Sequence, residues 1–368
     1  MCAAAPELAM DEARARGFAL RMREILDGGA LALLVSIGHR TGLFDTLAAM
    51  APAHSRAIAR ESGLDERYVR EWLSAMVAGG VVRFDEARGL YRLPAEHAAS
   101  LTRRAGPENL AVPSQWLALL GGVEDELVDC FASGGGVPAS CYRRFRKVMA
   151  EDSGQRVTSL LLSDVLPLAP GLAAALEKGC AALDVGCGIG RTLCELAQRF
   201  PRSRFVGLDL SVDAIAEAKR GAAERRLENV RFEVRDAAEL RGPAQFDFAS
   251  AFGVIHRQPE PERVLASVAA ALRPGGLFLM QEEASTGSPV RDAKRPLAAF
   301  SYALSCLQSL ATSRAAGGAG LGAMWGAREA RGALAAAGFH RIEEKRIARD
   351  PRSMYFVARA TGRVWNLL

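Results

Sequence analysis

Much that marks a specialised protein is missing from this chain of 368 residues. Its seven cysteines form no C-x-x-C pair and its five histidines no cluster, so neither a zinc-binding pattern nor a thioredoxin-type redox motif is present. Blocks of like charge are also missing. The 47 basic and 42 acidic residues are interspersed and leave a net charge of +5, which argues against a nucleic-acid tail. The N-terminal turns lack an apolar core and instead mix Glu7, Asp11 and Glu12 with Arg14, Arg16, Arg21 and Arg23, so no signal peptide is expected. The longest uncharged stretch, 296–313, approaches the length of a membrane span. Ser301, Ser305, Gln308 and Thr312 recur there every three or four positions, however, and predict a buried or interface helix with a polar stripe. Without signal or span, the expected compartment is the cytoplasm, with no membrane partner.

Cys180, Cys187 and Cys194 are evenly spaced, but they fall at a strand start, on a glycine turn and in the helix after it. They read as small buried thiols. Together with Cys2, Cys130, Cys141 and Cys306 they are expected to be free, with no disulfide and no metal site.

What is present suffices for two or three domains. The length exceeds one typical domain, and 49% of the residues are hydrophobic. Residues 12–27 and 29–40 read as helices, with Gly38 and Gly42 breaking the second. Two short helices follow, 55–61 and 66–76, joined by Ser62-Gly63-Leu64-Asp65, with Asp65 placed to cap the second. Segments 81–84 and 90–93 then read as strands around 85–89. Helix–turn–helix followed by a hairpin describes a winged helix over 12–100. On its candidate recognition helix Arg67 and Arg70 are offset by Asp65, Glu66 and Glu71, so nucleic acid is not an expected partner. Trp72, Leu73 and Met76 fit its buried face. Residues 101–178 carry helices around 107–120, 122–131, 142–151 and 155–166, interrupted by a glycine-rich loop at 133–140. They read either as a wall of a substrate cavity or as an inert spacer. A second glycine-rich segment, 315–326, reads as a mobile loop presenting Met324 and Trp325 or as a plain connection.

The most specific run is Leu183-Asp184-Val185-Gly186-Cys187-Gly188-Ile189-Gly190. A buried strand turns through three glycines into a helix, the place where an open α/β sheet receives an adenosine-bearing cofactor. The dinucleotide fingerprint G-x-G-x-x-G does not fit, because Arg191 stands where its third glycine belongs. Four further strands carry informative turns or ends. Phe205-Val206-Gly207-Leu208-Asp209 closes on an acid suited to ribose hydroxyls, and the strand opening at Val230 runs to Asp236-Ala237. Phe246 to Phe252 forms the next, and Leu272-Arg273-Pro274-Gly275-Gly276 turns into the apolar strand 277–280.

This ordered set resembles the D-x-G-x-G-x-G and following motifs of class I S-adenosylmethionine (SAM) methyltransferases. Segments 36–45, 66–73 and 322–326 extend the resemblance over almost the whole chain, toward a bacterial subgroup, well represented in actinobacteria, of small-molecule methyltransferases with an N-terminal winged helix. The resemblance implies an α/β, Rossmann-like sheet over 179–360, a bridging segment over 101–178 and a winged-helix domain that makes a homodimer. It implies that Asp184, Gly186, Gly188 and Gly190 form the SAM turn, that Asp209 holds the ribose and that Leu210 packs on the adenine. Asp236 and Ala237 would read the adenine edge, and Phe252 would lie near the methionine portion. His256 stands where winged-helix O-methyltransferases place a catalytic His-Asp pair, but Arg257 replaces the Asp. His256 is therefore the candidate general base, with Glu282 and Glu283 as runners-up. The implied reaction is methyl transfer from SAM to a small, largely apolar acceptor at a hydroxyl. A SAM-binding transcription regulator, a SAM-binding protein without methyl transfer and an NAD oxidoreductase are the competing readings.

Overall fold

The computed structural model describes residues 10–361, so Cys2 and Glu7 lie outside the described residues. The chain divides near residue 118 into two compact units. In the first, α1 (Glu12–Thr41) is one 30-residue helix where two are expected. A glycine weakens a helix without stopping it, and α1 runs straight through Gly28 and Gly29. Asp11 accepts hydrogen bonds from the amides of Ala13 and Arg14 at its start, and Gly42, at φ 77°, ends it. Then come α2 (Leu43–Ala49), α3 (Ser55–Ser62) and α4 (Glu66–Ala78), the last capped by Asp65. β1 (Arg83–Asp85) pairs antiparallel with β2 (Leu90–Arg92). The hairpin begins later than expected because the amides of Val81 and Val82 both bond back to the Met76 carbonyl. Phe44, Ile58, Leu73 and Met76 centre the core of this unit.

The second unit is built on a seven-stranded sheet in the order β5-β4-β3-β6-β7-β9-β8. Five strands run parallel: β3 (Ala181–Val185), β4 (Arg204–Asp209), β5 (Val230–Val234), β6 (Phe246–Phe252) and β7 (Leu272–Glu283). β8 (Phe339–Ile347) and β9 (Asp350–Ala360) close one edge antiparallel. Helices cover both faces, so β3 and β4 are buried along most of their length and, Asp184 apart, apolar there, as a parallel sheet demands. The Pro274-Gly275-Gly276 turn does not precede β7 but lies within it. Pairing jumps from Phe246↔Leu272 to Phe248↔Leu277, and the residues between bulge out. The chain winds outward from β3 through β4 to β5, then returns to the other side of β3 as β6. That reversal opens a crevice at the carboxyl ends of β3 and β6, the place where such sheets bind ligands.

Around the sheet lie α5 (Glu124–Ser133) and α6 (Phe145–Ser153), and α6 passes directly into π-type turns at Gly154–Thr158 and Leu161–Val165. The polar stripe of 296–313 faces inward: Ser301 Oγ donates to Glu283 Oε2 at 3.2 Å, and Ser305 Oγ accepts from the Met324 amide at 3.3 Å. No helix among the described residues is long and apolar enough to cross a membrane. The glycine-rich segment 315–326 is packed. Met324 is buried, and Trp325 Nε1 donates to Glu282 Oε2 at 3.3 Å.

Candidate active site

A cavity of about 280 Å³ fills the crevice. Its floor is the turn after β3, where Gly186, Gly188 and Gly190 all adopt positive φ (67°, 54° and 72°). The three do different work. A Cβ on Gly186 would lie 2.4 Å from Val254 Cγ2, so this glycine lets the turn tuck under the segment after β6. Gly188 lines the cavity, and a Cβ on it would meet nothing within 4 Å. Gly190 faces away from the cavity, and a Cβ there would lie 2.6 Å from the Phe232 ring.

Asp209, at the end of β4, lines the cavity with Leu210, which is 57% exposed. Asp209 Oδ2 accepts from the Gly188 amide at 2.9 Å, and Oδ1 from the Ser211 amide at 2.8 Å. Ala237 and Phe252 complete the predicted set that converges here. Four predicted residues stand behind this lining. Asp236 caps the short helical turn Ala237–Glu239, its Oδ1 accepting from the Ala238 amide at 2.8 Å. Gly190 packs between sheet and helix. Asp184 is buried within β3, where burial raises its carboxyl to about 7 while Ser250 Oγ donates to it at 2.7 Å.

His256 is the fourth. It is 1% exposed and is not part of the cavity wall. The sequence puts Arg257 in the place of its acidic partner, but the structure supplies a carboxylate from the neighbouring strand. Nδ1 donates to Glu282 Oε2, and Nε2 stands 3.4 Å from Ser309 Oγ. Glu282 is thus engaged by His256 and Trp325. Glu283 is bound elsewhere, accepting from Arg156 Nη1 at 2.7 Å and Arg352 Nη2 at 3.3 Å. Burial pushes the Glu283 carboxyl up, and the two guanidinium groups overcome that and hold it at about 2.

Of the two readings given to 101–178, a cavity wall and an inert spacer, the lining agrees with the first, although the sequence singled out no individual roof or rim residue as part of it. Met149, Ser153 and Thr158 cover the cavity from α6 and the π-type turn after it, and Val254 and Arg257 enter from the loop after β6. The roof residues sit in no motif; Met149 and Ser153 come from α6 and Thr158 from the π-type turn that follows it. Arg257 carried a signal, since it breaks the pattern of the motif it sits in. Among the described residues no cluster suited to a metal ion occurs, and Cys130, Cys141, Cys180, Cys187, Cys194 and Cys306 are free.

Residues 29–103 match the family model of the Rv2258c-like winged HTH domain, and residues 176–311 match that of a methyltransferase domain. A trans-aconitate 2-methyltransferase of Deinococcus radiodurans is 40% identical over 103 residues, which cover 28% of this chain and 38% of that one. The chain spans about half the length or less of the first curated relatives it matches. The fold is shared over far more of the chain. Human N-acetylserotonin methyltransferase, solved in complex with SAM, superposes with a TM-score of 0.66 at 17% identity, covering 95% of this chain and 98% of that one. The mitomycin 7-O-methyltransferase structure gives 0.68 at 20% identity, covering 95% and 100%. The switch-point crevice, the glycine turn and the two domain matches together place the chain among proteins with the SAM-dependent methyltransferase fold behind a winged-helix N-terminal domain.

Proposed function

We propose that this protein transfers a methyl group from SAM to a hydroxyl of a small, largely apolar molecule. The observation that supports this most is the convergence of Gly186, Gly188, Asp209, Ala237 and Phe252, from four separate strand ends, on one crevice. These residues fit the cofactor. Gly188 leaves open space, and a carboxylate with two amide donors keeps acceptor sites for ribose hydroxyls. In this reading Gly186 and Gly188 hold the amino-acid end, Asp209 the ribose, Leu210 with Ala237 and Asp236 the adenine, and Phe252 the methionine portion. Asp184 and Gly190 keep the turn in shape from behind.

SAM, when bound, supplies a methyl group already made electrophilic by its sulfonium. The protein must then align the acceptor, exclude water and take up a proton. His256 is the proposed base. Its bond to Glu282 fixes the tautomer that leaves a lone pair on Nε2, and the carboxylate stabilises the imidazolium that forms. Because His256 is buried, the acceptor hydroxyl has to reach Nε2 beside Ser309. Glu283, held ionised between two arginines, is poorly placed to serve instead.

The division proposed with it is a winged helix over 12–100, a bridging segment over 101–178 and a catalytic domain over 179–360, in a cytoplasmic homodimer joined through the first. On the recognition helix Arg67 pairs with Glu71 and Arg70 with Glu66, which favours an enzyme over a DNA-binding regulator. The test is calorimetry with SAM and S-adenosylhomocysteine, followed by a screen of phenolic and alcoholic acceptors for S-adenosylhomocysteine release. No uptake of either cofactor form by folded protein overturns the proposal.

A further inference from the structure

One side chain of the cavity is left without a counterpart. Arg257 lines it, yet its buried Nε has no hydrogen-bond partner, and the guanidinium's bond to Met149 Sδ, at 3.5 Å from Nη1, is a weak one. Burial lowers the pKa of this arginine, with Glu282, Glu283 and Asp152 countering only from a distance. An unpaired buried donor on a cation is costly, and proteins retain such groups where a ligand completes them. The rest of the lining has the same sign. Arg146, Arg191, Arg235 and Arg257 face one carboxylate, Asp209. Arg146 pairs with Asp213, Arg191 donates to the Ala150 carbonyl and Arg235 to the Glu239 carbonyl, so Arg257 is the one of the four left without an oxygen partner among the described residues. A cofactor with a sulfonium and an ammonium adds further positive charge.

We infer that Arg257 is the carboxylate anchor of this cavity, binding a carboxylate group of the cofactor's amino-acid end or of the acceptor. A guanidinium fork matches the two oxygens of that group and no neutral hydroxyl as well. The inference rests on the methyltransferase reading for the identity of the two ligands, but not for the anion itself. It also gives a reason for the exchange of an acid for Arg257 beside His256: the position binds charge in the cavity, while Glu282 takes over the orientation of the histidine.

The test compares the full chain with its Arg257→Met and Arg257→Lys forms. Three titrations are made: S-adenosylhomocysteine, 5′-methylthioadenosine (the same nucleoside without the carboxylate) and benzoate added to the S-adenosylhomocysteine complex. If the cofactor is the partner, Arg257→Met binds S-adenosylhomocysteine about tenfold or more weakly and methylthioadenosine unchanged. If the acceptor is, cofactor affinity holds and benzoate affinity falls by a similar factor. In both cases Arg257→Lys recovers part of the loss, and the Met form melts no lower than the native protein, because a buried unpaired charge has been removed. Equal affinities for all three ligands, including no benzoate uptake by either protein, overturn the inference. So does a Met form that melts lower and loses methylthioadenosine as well, which is the mark of a structural arginine. If the native protein takes up neither nucleoside, the methyltransferase reading fails instead, and benzoate binding to the free protein alone judges Arg257.

Discussion

Glycines two residues apart in one turn answer to different forces, and single substitutions can separate them. Gly190→Ala must place its Cβ against Phe232 and Ala218 and hold an alanine at φ 72°. Overpacking costs roughly 1–3 kcal/mol and the left-handed backbone about 1–2 more, so the fold should lose on the order of 2–5 kcal/mol. Gly188→Ala bears only the backbone cost, because its Cβ points into open space, but that space is the proposed cofactor seat. Urea denaturation should therefore show the larger stability loss for Gly190→Ala, and calorimetry the larger loss of SAM affinity for Gly188→Ala. The reverse ranking would contradict the division of roles. His256 is tested by its conservative change. His256→Gln keeps a side chain that can bond to Glu282 but removes the basic nitrogen. Single-turnover methyl transfer should fall about 10²–10⁴-fold with SAM affinity unchanged. An unaltered rate across pH removes the residue from the role.

At the scale of elements, the strands and turns that end in Asp209, Ala237 and Phe252 were legible because strand, turn and acid follow one another within a few residues. The pairing of His256 with Glu282 was not. The two lie 26 residues apart and meet only because β6 and β7 run side by side, with Phe252 opposite Gln281. The π-type turns after α6 were equally hidden, since periodicity does not distinguish them from an ordinary helix. Those turns carry Arg156 into a buried cluster with Glu283, Asp350 and Asp152, beside Arg352. Removing one partner of a buried ion pair leaves an uncompensated charge and costs roughly 3–5 kcal/mol. Arg156→Gln should lose about that much at pH 7. The cluster also sets the response to acid. The ordinary carboxyl value for Glu283 is 4.5 and its folded value about 2, so the folded state binds fewer protons than the unfolded state between them. Its stabilisation is complete above about pH 4.5 and is lost as pH falls toward 2. Denaturation midpoints at pH 7, 5 and 3 should decline over that window in the native protein. The decline should be shallower in Arg156→Gln, whose Glu283 carboxyl has lost its main counterion. An identical acid profile in both proteins would show that Arg156 does not hold Glu283 ionised.

For the whole molecule the open question is what covers α1. Its first half is exposed on all sides and yet carries Phe18 at 67%, Leu20 at 58%, Ile25 at 48% and Leu26 at 69% exposure. Ion pairs of Glu12 with Arg16 and Arg21 with Glu24 add only tenths of a kcal/mol on such a surface. In proteins most helical stability comes from packing one face against something, and burying each large apolar side chain would contribute about 1.5–3 kcal/mol. A second copy of the same helix is a partner always present at the protein's own concentration, and a two-fold axis lets one apolar stripe serve both copies. Light scattering should therefore report a dimer at micromolar concentration. Phe18→Glu combined with Leu26→Glu should shift it to monomer, because two carboxylates per chain would then face their own images. S-adenosylhomocysteine affinity should survive that change, since every residue lining the proposed cofactor site lies between Phe145 and Gln258. A native protein that stays monomeric at tens of micromolar would leave α1 without its proposed cover.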